Sequence, residues 1–290
     1  MDKPKILLQL DTDPHASVFD RVVAIDAGAD HVFSYGGVKP EQVAGLVHGL
    51  IFTRGPSELA HSAVFIGGSD VAAGEQLLAA ARKAMIPKAG LRVSLMLDSN
   101  GANTTAAAAV LAASRHMDLS AANGLVLGGT GPVGQRVARL LAKLGAHVRI
   151  GSRQLDRAKA VCDAIAKRYP DARLEAVQTA TSADGPAALQ GRDLVVAAGA
   201  AGVILLPEKL RKSCATLRVA IDLNAVPPVG IEGVELGAKA VTHDGVVCYG
   251  ALGVGGSKMK VHKTVIKRLF AATDAVFDAE EIYDLAASSP

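Results

Sequence analysis

The densest chemical signal in this 290-residue sequence is the run Gly129-Thr130-Gly131-Pro132-Val133-Gly134, which has the G-x-G-x-x-G spacing. The spacing alone is common. Here it follows the apolar run Leu125 to Leu127 and opens an amphipathic stretch, Val133 to Leu144, so it sits at a strand-to-helix turn. In that setting the first glycine permits a tight turn, the second lets the backbone approach a pyrophosphate, and the third lets helix and strand pack closely. The helix start adds N–H groups without intrahelical partners and a positive dipole end, and Pro132 costs little in a first turn. The next strand ends Ile150-Gly151-Ser152-Arg153, without the Asp or Glu that would hydrogen-bond a bare ribose. Ser152 and Arg153 instead offer donors and a positive charge to a 2′-phosphate. The chemistry expected is dinucleotide binding with NADP favoured, and use of NAD as well stays open. Ala198-Gly199, at a later strand end, should lie along the nicotinamide half, and Asn224 completes the candidate cofactor set.

A dinucleotide needs a reaction partner, and in doubly wound sheets ligands bind beyond the carboxyl ends of the strands. The polar residues after each apolar run are therefore the substrate candidates. Four segments qualify: Asp11-Thr12-Asp13, Thr53-Arg54-Gly55, Asp98 to Thr105, and Asp222-Leu223-Asn224-Ala225. The third contains Asp98, Ser99, Asn100, Gly101, Asn103 and Thr104, the densest set of donors and acceptors, and is the best substrate contact. Turn and helix-cap duties are the competing reading of the same residues, above all for Asp11 and Asp13. A last polar cluster, Gly250 to Lys260, sets Lys258 and Lys260 amid glycines. His15, His31, His48, His61 and His262 show no H-E-x-x-H spacing, so no metal is expected. There is no G-x-S-x-G elbow, which weighs against a hydrolase, and no Y-x-x-x-K around Tyr35, Tyr169, Tyr249 or Tyr283. A carbonyl–alcohol interconversion needs a proton relay of that kind, whereas hydride removal from a carbon between two nitrogens gives an amidinium-like cation with no O–H proton to move. Positioning then carries most of the catalysis.

Two α/β units are needed to hold these residues, and 290 residues suffice for them. In the first, Ile6 to Leu10, His31 to Tyr35, Leu50 to Thr53, Ala63 to Gly67 and Val93 to Leu97 read as buried strands, alternating with helices at Val18 to Ala27, Pro40 to His48 and Asp70 to Ala84. Asn103 to Arg115 reads as a connecting helix. The second series starts at Gly124 to Leu127, with strands at His147 to Ile150, Leu174 to Val177, Leu194 to Ala198, Val219 to Leu223 and Val246 to Tyr249, and a helix at Asp156 to Arg168. Tail helices, Lys260 to Ala271 and Ala279 to Ala286, should pack back on the first domain. The fold expected is α/β, with a Rossmann-type domain over 116–256 following an N-terminal parallel α/β domain of 1–115 plus 257–290, and a deep cleft between them. The chain would cross at Ser114 to Asn123 and at a glycine-rich Gly250 to Gly256.

Composition narrows the function classes. Half the residues are hydrophobic and 20% charged, which suits a folded enzyme, and 3% aromatics with a net charge of +3 give no platform for nucleic acid. No apolar run reaches the roughly 20 residues of a membrane span, and the start lacks a signal peptide's core. Cys162, Cys214 and Cys248 are odd in number and far apart, as reduced thiols would be. A cytoplasmic homo-oligomer is expected.

Several segments are not generic. Asp11-Thr12-Asp13, Ser17-Val18-Phe19-Asp20, Asp98-Ser99-Asn100-Gly101, Asn103-Thr104-Thr105, the glycine loop, Gly250-Ala251-Leu252-Gly253 and the tail Val276 to Tyr283 together resemble the bacterial NAD(P)-dependent methylene-tetrahydromethanopterin dehydrogenases, over essentially the whole chain. The resemblance implies oxidation of the methylene carbon of a one-carbon tetrahydropterin to the methenyl cation, with NADP as acceptor, in formaldehyde oxidation. It also implies that Asp98 to Thr105 faces the pterin and that Lys258 and Lys260 line the same cleft. Asp98, Asn100 and Lys258 are then the candidate catalytic residues. Asp11, Asp13, Ser99, Gly101, Asn103, Thr104 and Lys260 are the candidate substrate contacts. The family includes members that accept the tetrahydrofolate carrier, and the sequence does not sort carriers. A shikimate-dehydrogenase-like carbonyl reductase and a non-catalytic NADPH sensor remain the alternatives.

Overall fold

Every apolar run expected as a strand in the first hundred residues is one, except Leu50 to Thr53. The computed structural model describes residues 3–288 and divides into two compact units, Met1–Thr104 with Met259–Pro290, and Thr105–Lys258. The first unit begins β1 (Ile6–Asp11), α1 (Val18–Asp26), β2 (His31–Tyr35) and α2 (Pro40–Ile51). It continues with β3 (Ser62–Gly67), α3 (Val71–Ala84), β4 (Ser94–Leu97) and α4 (Ala102–Ser114). Local chemistry sets the helix starts: the Ser17 hydroxyl accepts from Asp20 N at 3.2 Å and the Asp70 carboxylate from Ala73 N at 3.0 Å. Pro40 occupies a first turn where its missing N–H has no role.

Leu50 and Ile51 belong to α2, because Val43, Val47 and Leu50 repeat at helical spacing on the face that enters the core. A four-residue apolar run is too short for periodicity to separate strand from helix end. Thr53-Arg54-Gly55 consequently lies near the amino ends of the strands, not their carboxyl ends. There the Arg54 guanidinium donates to His61 O at 2.6 Å, to Ser62 Oγ at 3.0 Å and to Pro4 O at 2.8 Å, tying the starts of β1 and β3 together.

The second unit carries β5 (Asn123–Leu127), α5 (Pro132–Lys143), β6 (His147–Ser152), α6 (Leu155–Arg168) and β7 (Arg173–Gln178). Then follow α7 (Gly185–Leu189), β8 (Leu194–Ala197), α8 (Glu208–Ser213), β9 (Val219–Asp222), β10 (Lys239–His243) and β11 (Val246–Tyr249). Its sheet runs β10-β11-β9-β8-β5-β6-β7, parallel except for edge strand β10. Renumbered within the unit the order is 3-2-1-4-5-7-6, in which the parallel strands follow the Rossmann order 3-2-1-4-5 with β11 as the sixth and the antiparallel β10 added at the edge, and the order reverses between β5 and β8.

The glycine-rich segment Gly250 to Gly256, expected as a crossing, leads directly into a long helix, α9 (Ala251–Leu269). Two of the segment's glycines serve close packing: a Cβ at Gly250 would overlap Glu235 O, and one at Gly253 would overlap Ala238 O, whereas one at Gly255 or Gly256 would meet nothing within 4 Å. The tail then adds β12 (Val276–Phe277), paired parallel with β4, and α10 (Ala279–Ser288). The first sheet is thus β12-β4-β3-β1-β2, all parallel, with its order reversing between β1 and β3. Among the described residues no helix is long and apolar enough to cross a membrane.

At the amino edge of the second sheet, burial pushes the His147 imidazole below its ordinary 6.5, the Arg192 charge adds to the effect, and Glu175 opposes it. The folded protein therefore takes up this proton less readily than the unfolded chain. That stability is fully present above the unfolded value and is lost as pH falls from 6.5 through the folded value. The urea midpoint should accordingly drop between about pH 7.5 and about pH 5.5. His147→Gln should flatten that stretch of the profile, and an unchanged slope in the variant would assign the dependence to other groups.

Candidate functional site

The turn from β5 into α5 lies at the point where the second sheet reverses its order, and each glycine there meets a different constraint. A Cβ on Gly134 would stand 2.5 Å from Gly128 O and 2.8 Å from Gly129 Cα, so the helix can approach the turn only without one. A Cβ on Gly131 would meet nothing nearer than 3.4 Å. The protein itself does not require glycine at 131, and what a side chain would fill there is the cavity in front of the turn. No side chain caps α5, whose first turn opens with Pro132. The amides of the next residues are thus available to an anion.

That cavity, of about 620 Å³, is bounded by Thr130, Gly131 and Pro132 on one side and Ala198, Gly199 and Ala200 on the other. Its third wall is the end of β6 with the start of α6. Ser152 is buried there, its hydroxyl accepting from Gln154 N at 3.2 Å and lying 3.5 Å from Thr130 Oγ1. Arg153 lines the cavity, and so do Gln154, Arg157 and Thr179, which the motif alone did not single out. Arg157 had a readable signal, because it is a second arginine only four residues after Arg153, in the first turn of α6. Both guanidinium groups are exposed, neither pairs with a described residue, and no carboxylate lines the cavity. Gly129, Val133 and Gly134 build the turn without lining the space.

Asn224 is not on this wall. Its side chain accepts from Val226 N at 3.0 Å and donates to Pro228 O at 3.2 Å, while its backbone N–H donates to Asp222 Oδ1 at 3.0 Å. Asp222 Oδ2 accepts from Ile231 N at 2.8 Å. Burial pushes the Asp222 carboxyl up, against the pull of the Ile231, Asn224 and Gly230 amides. These two residues shape the 224–231 loop.

The carboxyl edge of the first sheet gathers most of the other candidates. Asp11, fully buried, accepts from Asp13 N at 2.9 Å and Ser17 N at 3.0 Å. Asp13 reaches across to Ser69, accepting from its N at 3.0 Å and its hydroxyl at 2.7 Å. Asp98 accepts from Thr104 N at 2.9 Å and from the Thr104 hydroxyl at 2.6 Å. Ser99 donates to Gly67 O at 3.0 Å, and Asn103 to Leu97 O at 2.6 Å and Asp278 Oδ1 at 2.9 Å. Asp98, Ser99, Asn103 and Thr104 are all buried, whereas Asn100 is exposed and Gly101 half-buried. Asn100 holds a left-handed conformation, φ 56°, with its N–H donating to Gly68 O at 2.6 Å. The Thr12 hydroxyl is buried at the same edge with no hydrogen-bond partner.

Sequence reasoning overlooked two features of this edge. Gly67-Gly68-Ser69 ends β3; Ala63 to Gly67 reads as a strand, but its end is glycine and the first polar side chain, Ser69, comes only after a second glycine. His262, passed over as a lone histidine, is fully buried, its ring stacked on Phe65 at 5.6 Å and its Nδ1 3.9 Å from Asp98 Oδ2. Lys258 shares a helical face with His262 one turn on, and Lys260 lies on a different face of α9. Residues two apart on α9 point about 200° away from each other. Among the described residues no group of three His, Cys, Asp or Glu is arranged to hold a metal ion.

A Rossmann sheet, a glycine turn at its reversal and guanidinium groups facing the cavity define a nicotinamide-dinucleotide dehydrogenase. The N-terminal family model of methylene-tetrahydromethanopterin dehydrogenase matches residues 18–100. The chain is 44% identical to the bifunctional protein MdtA of Methylorubrum extorquens, over 97% of its own length and 98% of that protein. It is 32% identical to the NAD(P)-dependent methylenetetrahydromethanopterin dehydrogenase of the same organism, over 97% of each. The chain therefore belongs to the family of NAD(P)-dependent methylene-tetrahydromethanopterin dehydrogenases. Among solved structures it is similar to 5-ketofructose reductase of Gluconobacter sp. strain CHM43, with TM-score 0.51, 16% identity and 98% of each chain covered. Quinate dehydrogenase from Corynebacterium glutamicum in complex with NAD gives TM-score 0.50 at 14% identity, with 97% of this chain and 98% of that one covered. At those identities the likeness is one of fold.

The two glycines separate packing from ligand access. Gly134→Ala should destabilise the protein by about 1–3 kcal/mol, because a carbonyl of the turn must move. Gly131→Ala should leave the melting temperature within about 2 °C and weaken dinucleotide binding at least tenfold. Equal loss of stability in both variants would mean that Gly131 is a packing residue too.

Proposed function

We propose that the chain interconverts methylene- and methenyl-tetrahydromethanopterin with NADP, between the formaldehyde and formate oxidation levels of one-carbon metabolism. The observation that carries this reading is likeness to two family members over nearly the whole chain, joined to a cavity whose cations are unpaired. The nicotinamide supplies the hydride acceptor when bound. The chain's own part is to hold both reactants. Gly131 leaves room for the pyrophosphate against the α5 amides, Ser152 retains a hydroxyl proton to donate, and Arg153 with Arg157 takes the 2′-phosphate. Asn224 contributes by shaping the 224–231 loop, and Ala198 and Gly199 keep the nicotinamide side open.

On the pterin side we assign contacts to the carboxyl edge of the first sheet. Thr12, Asn100 and Gly101 offer groups there. Asp11, Asp13, Ser99, Asn103 and Thr104 fix the loops that present them. Asp98 is a positioning residue on this reading, since its oxygens hold the 98–104 turn. For Lys258 as a catalytic residue the family resemblance is the support. The product cation forms without loss of an O–H proton, so no general base is required. Tetrahydrofolate as a second carrier belongs to the same proposal.

Following absorbance at the NADPH band with methylene-tetrahydromethanopterin and then methylene-tetrahydrofolate tests the reaction, and no NADPH with either would overturn it. Arg153→Ala and Arg157→Ala should each raise the KM for NADP about 10- to 100-fold, the loss of a charge-assisted hydrogen bond. The KM for NAD should stay within about threefold, since NAD has no 2′-phosphate. Equal effects on the two cofactors would remove the phosphate contact from the reading.

A further inference from the structure

The crossovers that follow β7 and β8 are short. Helix α7 has 5 residues and α8 has 6, about half the usual helix length, and a cavity remains beside them although the β5 leucines beneath it stay buried from solvent. A second chamber of about 580 Å³ opens there over Leu125 and Leu127 of β5, with Leu189 and Leu210 on its sides. Arg153 and Lys209 also line it, no carboxylate does, and neither cation pairs with a described residue. The chamber and the dinucleotide cavity share a wall that includes Arg153 and Val203.

We propose that this chamber is a second small-molecule site, for an aliphatic monocarboxylate whose chain lies on the leucines and whose carboxylate is held by Lys209 and Arg153. The volume falls within the range of sites that enclose small ligands. Charge selects among ligands of that size. A neutral hydrocarbon gains nothing from either cation, a cation is repelled by them, and a polyanion presses surplus charge against apolar walls. A single carboxylate on an apolar chain satisfies both ends.

Arg153 gives the site a consequence for the reaction, and this step rests on its assignment to the 2′-phosphate. A carboxylate in the chamber and a 2′-phosphate in the cavity draw on one guanidinium, so each weakens the other's binding by the same factor. NAD carries no such phosphate and should bind alongside the carboxylate.

Calorimetric titration of the full chain with decanoate, and with decan-1-ol as the uncharged control, tests the proposal. Decanoate should bind saturably with one site per chain, at least tenfold more tightly than decan-1-ol. Lys209→Ala should weaken it about fivefold or more, and Leu210→Trp, which fills the chamber, should abolish it. Ala188→Leu narrows the same space if the tryptophan variant does not fold. Binding that is unsaturable, or indifferent to both the lysine and the filling variants, overturns the site. With NAD saturating, decanoate affinity should hold within about twofold, and with NADP saturating it should fall about five- to tenfold. Loss with both cofactors means that the dinucleotide itself enters the chamber, and the second site is overturned. Affinity unchanged with both upholds the chamber and refutes instead the contact between Arg153 and the 2′-phosphate.

Discussion

A buried loop amide without an acceptor costs about 1–3 kcal/mol, and a parallel sheet concentrates such amides at the carboxyl ends of its strands. Three aspartates meet that demand here. Asp11 at the end of β1, Asp98 just beyond β4 and Asp222 at the end of β9 are buried; Asp11 and Asp222 accept backbone N–H groups of the loops that follow them, and Asp98 accepts one from the first turn of α4. A carboxylate suits the task because each of its oxygens offers two lone pairs, so one side chain can organise a whole turn. Asp222 shows the tension involved: burial drives its carboxyl up while the amides hold it down.

Where the aspartates are, hydrogen-bonding capacity is consumed inside the protein. The turn between β5 and α5 is the opposite case. No side chain caps the helix, Pro132 has no N–H, and the cavity in front of Gly131 would be the first thing a side chain filled. The exposed guanidinium groups of Arg153 and Arg157 continue the same pattern. Self-satisfied strand ends give rigid loops, and unsatisfied ones give a ligand something to bind. The contrast explains why the glycine turn stands out both in the sequence and in space.

The second sheet was legible because its signals are local. A glycine turn between strand and helix, and Ser152-Arg153 at the next strand end, need no tertiary information. The first sheet was legible in its long elements and obscure in its short ones. Leu50 to Thr53 offers four residues, too few to separate a strand from the last turn of α2, and that one misreading placed Thr53-Arg54-Gly55 among the carboxyl ends of the strands. Strand β12, two residues long, and helices α7 and α8 carry too little periodicity to be seen. The candidate site followed the same rule. Polarity at strand ends identified Asp11, Asp98 and Asn224, but whether a polar group turns inward or faces a ligand depends on partners distant in sequence, as Asn103 with Asp278 and Asp13 with Ser69 illustrate.

Fold and reaction separate along that line as well. The reductase and the quinate dehydrogenase match this chain over nearly their whole lengths at 16% and 14% identity, so the architecture tolerates almost complete replacement of side chains. Sheet order and the close approach of α5 to its turn can persist through such change, because they depend on apolar periodicity and a few glycines. The inward-turned aspartates belong with them, since they answer a demand of the backbone. Exposed or unpartnered groups answer no such demand: Thr12, Asn100, Arg153 and Arg157 are placed by the fold without being required by it. It is in residues of that kind that a shared architecture can diverge from one substrate to another.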